Sequence, residues 1–155
     1  MHSLAQGLDE SKKFVEELIT AEVSAGTPSD RILLGGFSQG AAMSLFTGYQ
    51  YPKQLAGVIA LSGYMPFAGD FAKLVSANKD TPSLICHGDV DSVVALKMGQ
   101  RAHKMIQDAK IPTTFKLYKN MGHSSSPQEV SDVLAFLKQR LPAKSAAEAK
   151  KDSEL

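Results

Sequence analysis

The sequence is short of several things, and each shortage closes off a class of function. Its 155 residues hold one cysteine, Cys86, so no disulfide can form within the chain and a reducing compartment fits. An excess of either charge is missing. Seventeen Lys+Arg against sixteen Asp+Glu leave a formal +1, which gives no reason to expect a nucleic acid or an anionic membrane surface as partner. No apolar run approaches the ~20 residues of a membrane span, so no stable membrane insertion is expected. The first ten residues, MHSLAQGLDE, lack the basic-then-apolar order of a secretory signal. The closing KDSEL resembles a retention signal only superficially, and without an entry signal it would have nothing to retain. There is no internal repeat and no basic patch with interleaved aromatics. The Gly35-Gly36 pair is not part of a G-x-G-x-x-G fingerprint, which argues against a phosphate- or nucleic-acid-binding module.

What remains is an ordinary globular composition, 43% hydrophobic and 21% charged, at a length that suits one domain. Helical and strand-like segments alternate, which predicts an α/β fold with a mostly parallel sheet and helices on both faces. Phe14, Val15, Leu18, Ile19 and Val23 fall on one helical face that ends near Gly26-Thr27-Pro28. RILLGGF then reads as a strand buried on both sides. A helix from Ser38 carries Ala41, Ala42, Leu45, Phe46 and Tyr49 inward until Pro52. AGVIALSG and SLICHG are further buried strands, and a short helix is expected around Phe71 to Val75 between them. Ala95, Met98, Ala102, Met105, Ile106 and Ala109 mark another helix. TTFKLYKN alternates as a strand near the sheet edge would. Ser126-Pro127-Gln128-Glu129 reads as a capping box opening a last helix with Val130, Val133, Leu134 and Leu137 facing in. The tail, 143–155, is expected to be disordered.

The chemistry gathers at Gly36-Phe37-Ser38-Gln39-Gly40, a G-x-S-x-G between a strand and a helix. That context is the one a nucleophile elbow requires: a sharp, strained turn that lifts the Ser38 hydroxyl above the strand ends. The Gln39 N–H, at the head of the helix, is then placed for a developing oxyanion. A serine needs a base. His2 lies at the terminus, His103 is expected on a solvated helix side, and His87 is expected to be a buried, hydrogen-bonded strand residue. His123 follows a strand and precedes the last helix, on the side where Ser38 emerges. Asp89 and Asp91 lie between serine and histidine in the Ser…Asp…His order of this architecture. Asp89 is expected to cap its turn, and Asp91 is the better placed to orient His123. Cys86, inside an apolar strand, reads as an inert thiol. Tyr64, Met65 and Phe67 follow a strand end and either line an acyl groove or simply pack under a loop.

GGFSQGAAMSL, HGDVDSVV and KNMGHSS, together with QLAGVIALSGYMPF, resemble the acyl-protein thioesterase/lysophospholipase-like carboxylesterases of the α/β-hydrolase fold, closest in wording to fungal members. The resemblance runs from about Asp9 to Pro142. It implies Ser38 as nucleophile, Asp91 as acid, His123 as base and Gln39 as oxyanion residue. It implies S-acylated proteins, lysophospholipids or simple carboxylic esters as substrates, no metal or organic cofactor, and a cytosolic, in some members also nuclear, location. Two departures stand out. Ser92 and Ala95 occupy places where members usually have proline. Members also carry a long N-terminal region, with the first strands and an HGxGD loop, before the helix that leads to the elbow. On that reading residues 1–142 are the C-terminal part of an α/β-hydrolase domain missing its first strands, with a bare sheet edge and one of two oxyanion donors. The alternative to an active enzyme is then a truncated, catalytically impaired form acting as an acyl-binding or interaction module, or an incomplete gene model.

Overall fold

Four apolar runs become four parallel strands. The structure is a computed structural model and describes residues 4–66 and 69–143, with side chains from Gly7 onward. In chain order the elements are α1 (Leu4–Ser24), β1 (Leu33–Phe37), α2 (Gln39–Gln50), β2 (Gly57–Leu61), β3 (Ser83–Gly88), α3 (Leu96–Asp108), β4 (Thr113–Tyr118) and α4 (Pro127–Arg140), with short 3-10 turns at Ser29–Arg31 and Phe71–Lys73. The strands lie side by side in that same order, all parallel. One row of the sheet runs Gly36, Ala60, Ile85, Phe115.

When each strand adds on the same side and every crossover has the same hand, the connecting segments must share one face. They do. Ala41, Leu45 and Tyr49 of α2, Phe71, and Ala102 and Ile106 of α3 close over Val58, Ala60 and Ile85. No strand follows α4 among the described residues, and it folds back over the other face, setting Val133, Phe136 and Leu137 on Ile59, Leu84 and Cys86. Successive residues of β2 serve opposite cores, as the alternation of side chains along a strand demands. The expected sheet with helices on both faces is the one found.

Three packing expectations are corrected. β1 is not buried on both sides. Among the described residues it pairs only with β2, and Phe37 stays 42% exposed. In α1, Ile19 is buried with Tyr51 and Leu55, and Val15 and Val23 lean on that cluster, but Phe14 and Leu18 remain 61% and 53% exposed. In α4, Val130 and Leu134 are likewise exposed. Among the described residues no strand lies beyond β1. Residues 144–155 of the expected tail, and His2 and Phe67, lie outside the described residues.

Two buried polar groups shape the ends of the elements. Asn78 is fully buried, and all its hydrogen-bonding capacity is used. Its Oδ1 accepts from the Leu55 N–H and the Thr81 hydroxyl, each at 2.8 Å, and its Nδ2 donates to the carbonyls of Tyr51 at 2.9 Å and Lys53 at 3.0 Å. One side chain thus ties the turn after α2 to the segment that enters β3. At the start of α4, Ser126 caps the helix by accepting from the Glu129 N–H at 3.2 Å, with Pro127 in the first turn. The return half of the expected capping box is absent: Glu129 is fully buried, and neither carboxyl oxygen has a hydrogen-bond partner among the described residues. Burial pushes its carboxyl above the ordinary range.

Asn78→Ala leaves several buried groups unpaired at about 1–3 kcal/mol each, so a loss of about 3 kcal/mol or more is expected in urea unfolding, as a lower midpoint with an unchanged slope. A carboxyl raised on folding stabilises most below its unfolded pKa, and that contribution is lost as pH rises through its folded value. Glu129→Gln removes this dependence. Its melting temperature should gain on the parent protein as pH is raised from 5 to 8, and a difference that shrinks over that range would contradict the reading.

Candidate active site

The site begins with a turn one residue long. The Ser38 N–H still donates to the Leu61 carbonyl at 2.9 Å, continuing the sheet, while the Ser38 carbonyl already accepts from the Ala42 N–H at 3.1 Å, opening the helix. No spare residue absorbs the change of direction, so Ser38 takes φ 56° and ψ −117°, a region a side chain rarely occupies and that costs about 1–3 kcal/mol. The neighbours must be small for this to close. A Cβ on Gly36 would lie 2.3 Å from the Gly40 carbonyl carbon, and one on Gly63 would lie 2.4 Å from the Ala41 Cβ. A Cβ on Gly40 would meet nothing within 4 Å. The steric demand of the motif therefore falls on its first glycine.

The loops after β3 and β4 meet above the same end of the sheet. The Asp89 N–H donates to the Tyr118 carbonyl at 3.0 Å, and the Val90 N–H to the Met121 carbonyl at 3.2 Å. Gly88 permits this, since a Cβ there would fall 2.0 Å from the Met121 oxygen. The result is a continuous chain of side chains. Asp91 Oδ2 lies 2.8 Å from His123 Nδ1, and His123 Nε2 lies 3.0 Å from Ser38 Oγ. A carboxylate only accepts, so the Nδ1–H donates to Asp91 and Nε2 is left to accept from the serine hydroxyl. The Phe37 ring packs on the imidazole, centroids 4.7 Å apart and planes tilted by 43°.

Asp91 is the best-held member. Its side chain is inaccessible to solvent, whereas that of His123 is 17% exposed. The second carboxylate oxygen accepts from the Val93 and Val94 N–H groups, each at 2.9 Å. Burial pushes this carboxyl up, but the hydrogen bonds from His123, Val94 and Val93 outweigh it and hold the group below the usual carboxylate range. A serine hydroxyl donating to a carboxylate-backed imidazole is an arrangement that eases removal of the hydroxyl proton. Gln39 opens α2, so its N–H is one of the donors helix geometry leaves without an internal acceptor.

The other residues singled out from the sequence fall as follows. Tyr64 is half-buried, and Met65 is packed in the core with Leu45, Tyr49 and Phe71. Ordinary packing, the second reading of that loop, describes Met65. Cys86 is buried 3.4 Å from the Tyr118 hydroxyl, and burial pushes its thiol up to about 12, which suits an inert residue. His103 is only partly solvated: one side of its ring packs against Phe115 and its Nδ1 lies 3.2 Å from the Thr113 hydroxyl, because β4 runs beneath that side of α3. The turn-capping expected of Asp89 is done by Asp91, while Asp89 Oδ1 is buried with no partner among the described residues. His87 is buried and hydrogen-bonded at the strand end, as expected, but its place beside the site, and that of Phe37, escaped the sequence reading. Phe37 had a signal: alternation from Leu33 puts it on the α4 face, where the His123 loop passes. His87, 3.6 Å from Asp91 Oδ2, had none beyond its place in the strand. Beside the site, an open groove of about 420 Å³ runs between α1 and β1, lined by Val15, Leu18, Ile19, Leu34 and Met43 and reaching Gln39. Among the described residues no cluster of His, Cys, Asp and Glu is arranged to hold a metal ion, and no helix is long and apolar enough to cross a membrane.

Comparison with known proteins shows the family to which the chain belongs. The phospholipase/carboxylesterase family model matches residues 2–141. Acyl-protein thioesterase 1 of Neurospora crassa is 41% identical over 152 residues, which is 96% of this chain and 62% of that protein. Acyl-protein thioesterase 1 of Gibberella zeae is 37% identical over 142 residues, covering 90% and 60%. The crystal structure of Arabidopsis thaliana SOBER1 superposes with a TM-score of 0.82 at 34% identity, over 86% of this chain and 64% of that one. The chain thus spans about three-fifths of the length of the curated relatives it matches. The fold class is that of the α/β hydrolases, and the chain belongs to the phospholipase/carboxylesterase family.

Proposed function

We propose that the chain carries the nucleophile, base and acid of a serine hydrolase that cleaves acyl thioesters or carboxylic esters through an acyl-enzyme. The observation that carries this reading is the unbroken run of hydrogen bonds from Ser38 through His123 to Asp91. Ser38 Oγ attacks the acyl carbonyl as its proton passes to His123 Nε2. The imidazolium is stabilised by Asp91 across the 2.8 Å bond, and the oxyanion forms beside the Gln39 N–H at the head of α2. Collapse of the tetrahedral adduct expels the thiol or alcohol, which takes the proton from His123. Water then attacks the acyl-serine, with His123 as base, and frees the carboxylic acid and Ser38.

The substrate class rests on kinship. The named relatives are acyl-protein thioesterases, which favours S-acylated protein cysteines as substrates, with lysophospholipids and simple esters as the broader class. One observation favours a second reading, a binding or interaction module of low activity. The β1 edge is open among the described residues, and Phe14, Leu18 and Phe37 are exposed around it. Among the described residues the geometry identifies one oxyanion donor, Gln39, and a site that works with one donor where two are usual is slower by about 10²–10³.

A fluorophosphonate probe should label the folded chain at Ser38, and Ser38→Ala should abolish the label. A folded sample that resists the probe would sink the hydrolase reading. His123→Ala and Asp91→Asn should each slow hydrolysis of a nitrophenyl ester by about 10³-fold while leaving the fold intact by circular dichroism. Equal rates in either variant would remove that residue from the mechanism. Labelling without measurable turnover of either an ester or an acyl thioester would favour the module.

A further inference from the structure

The structure assigns a role to a second histidine: we propose that His87 is a positioning residue, whose ring holds the loop that presents Asp91 to His123. The assignment rests on the hydrolase reading only for its kinetic consequence.

The geometry is closed on every side. His87 is fully buried near the end of β3, on the face covered by α3. Its Nε2 lies 2.8 Å from the Val94 carbonyl oxygen. A carbonyl only accepts, so Nε2 carries the hydrogen and Nδ1 is the bare nitrogen. Nδ1 has no partner among the described residues, and it faces Gly99 of α3, where a Cβ would lie 2.4 Å away. The ring is therefore fixed as the Nε2–H tautomer, pressed between the helix and the loop.

The residue it grips is the one that grips the acid. Val94 gives its carbonyl to His87 and its N–H to Asp91 Oδ1. The same ring nitrogen lies 3.6 Å from Asp91 Oδ2, the oxygen that accepts from His123. The loop from Asp89 to Ala95 contains no proline, so its backbone is not locked from within. The Asp89 and Val90 N–H groups tie its first half to the β4 loop, and the bonds through His87, Val94 and Asp91 order its second half. Without the Nε2–H donor, Val94 is released, and Asp91 loses the fixed position from which it orients His123. A displacement of about 1 Å in such a group costs on the order of 10²-fold in rate.

The test uses isotope-labelled full chain and needs no substrate for its first half. Nitrogen-15 spectra should show His87 as the Nε2–H tautomer. The His123 Nδ1 proton should resonate far downfield, as an imidazole proton bonded to a carboxylate does. His87→Leu keeps apolar bulk but removes the donor. The downfield proton should vanish while the β3 and β4 amide signals persist, and kcat on a nitrophenyl ester should fall about 10²-fold with KM within about twofold. His87→Gln, whose amide N–H can still reach Val94, should restore the proton signal and at least about tenfold of the rate. Gly99→Ala, which crowds Nδ1 from the helix side, should weaken the signal without altering the ring itself, and it decides the matter together with the parent spectrum if His87→Leu does not fold. An Nδ1–H tautomer, an unchanged downfield proton in folded His87→Leu, or a rate loss that His87→Gln does not recover would each overturn the assignment. If the hydrolase reading fails instead, every variant is inactive while the spectra still decide the role of His87.

Discussion

A single residue turns the chain from sheet to helix, and everything at the site depends on that economy. Ser38 donates its N–H to one strand and gives its carbonyl to the first turn of α2. The backbone conformation this forces raises the hydroxyl clear of both elements. It also brings Gly36 against the Gly40 backbone, where no side chain fits. The strain is sustained because β1 is paired to β2 along its length and α2 is buried along most of its own. The same construction leaves the head of α2 beside the hydroxyl, so the proposed nucleophile and a backbone donor come from one turn.

The partners arrive by a different device. His123 and Asp91 are on loops, and loops are held only by what they bond to. Here the two loops extend the β3–β4 ladder past the strand ends, through Asp89 to Tyr118 and Val90 to Met121. Asp91 then takes two backbone N–H groups and the imidazole, and the hydrogen bonds overcome the burial that would otherwise neutralise it. A carboxyl depressed in this way contributes stability above its unfolded pKa of about 3.9, and that contribution is lost as pH falls through its folded value. Below that value Asp91 no longer offers a carboxylate to His123, so the loop's order and the imidazole's orientation fail together.

Much of this was legible in the sequence because it is local. The elbow is five residues between a strand pattern and a helix pattern, the N-cap at Ser126 is a four-residue signal, and the order Ser38, Asp91, His123 follows from where strands end. What was not legible depends on neighbours distant in the chain. Asp89 and Asp91 are two residues apart and compositionally identical, and which one caps the turn is decided by where the β4 loop lands. His103 looks solvated until β4 is seen beneath it, and Glu129 looks like a capping partner until α4 is seen to bury it. The half-open state of β1 and α1 is likewise invisible to periodicity, which says which face is apolar but not what covers it.

The most direct test of the central claim is to catch the covalent intermediate. Stopped-flow mixing of the folded chain with a nitrophenyl ester, followed by acid quench and mass analysis of the peptides, asks which atom takes the acyl group. The account predicts a burst of one nitrophenolate per chain and an acyl increment on the peptide containing Ser38. Ester turnover with no such adduct, or an adduct on another residue such as Cys86, would contradict it.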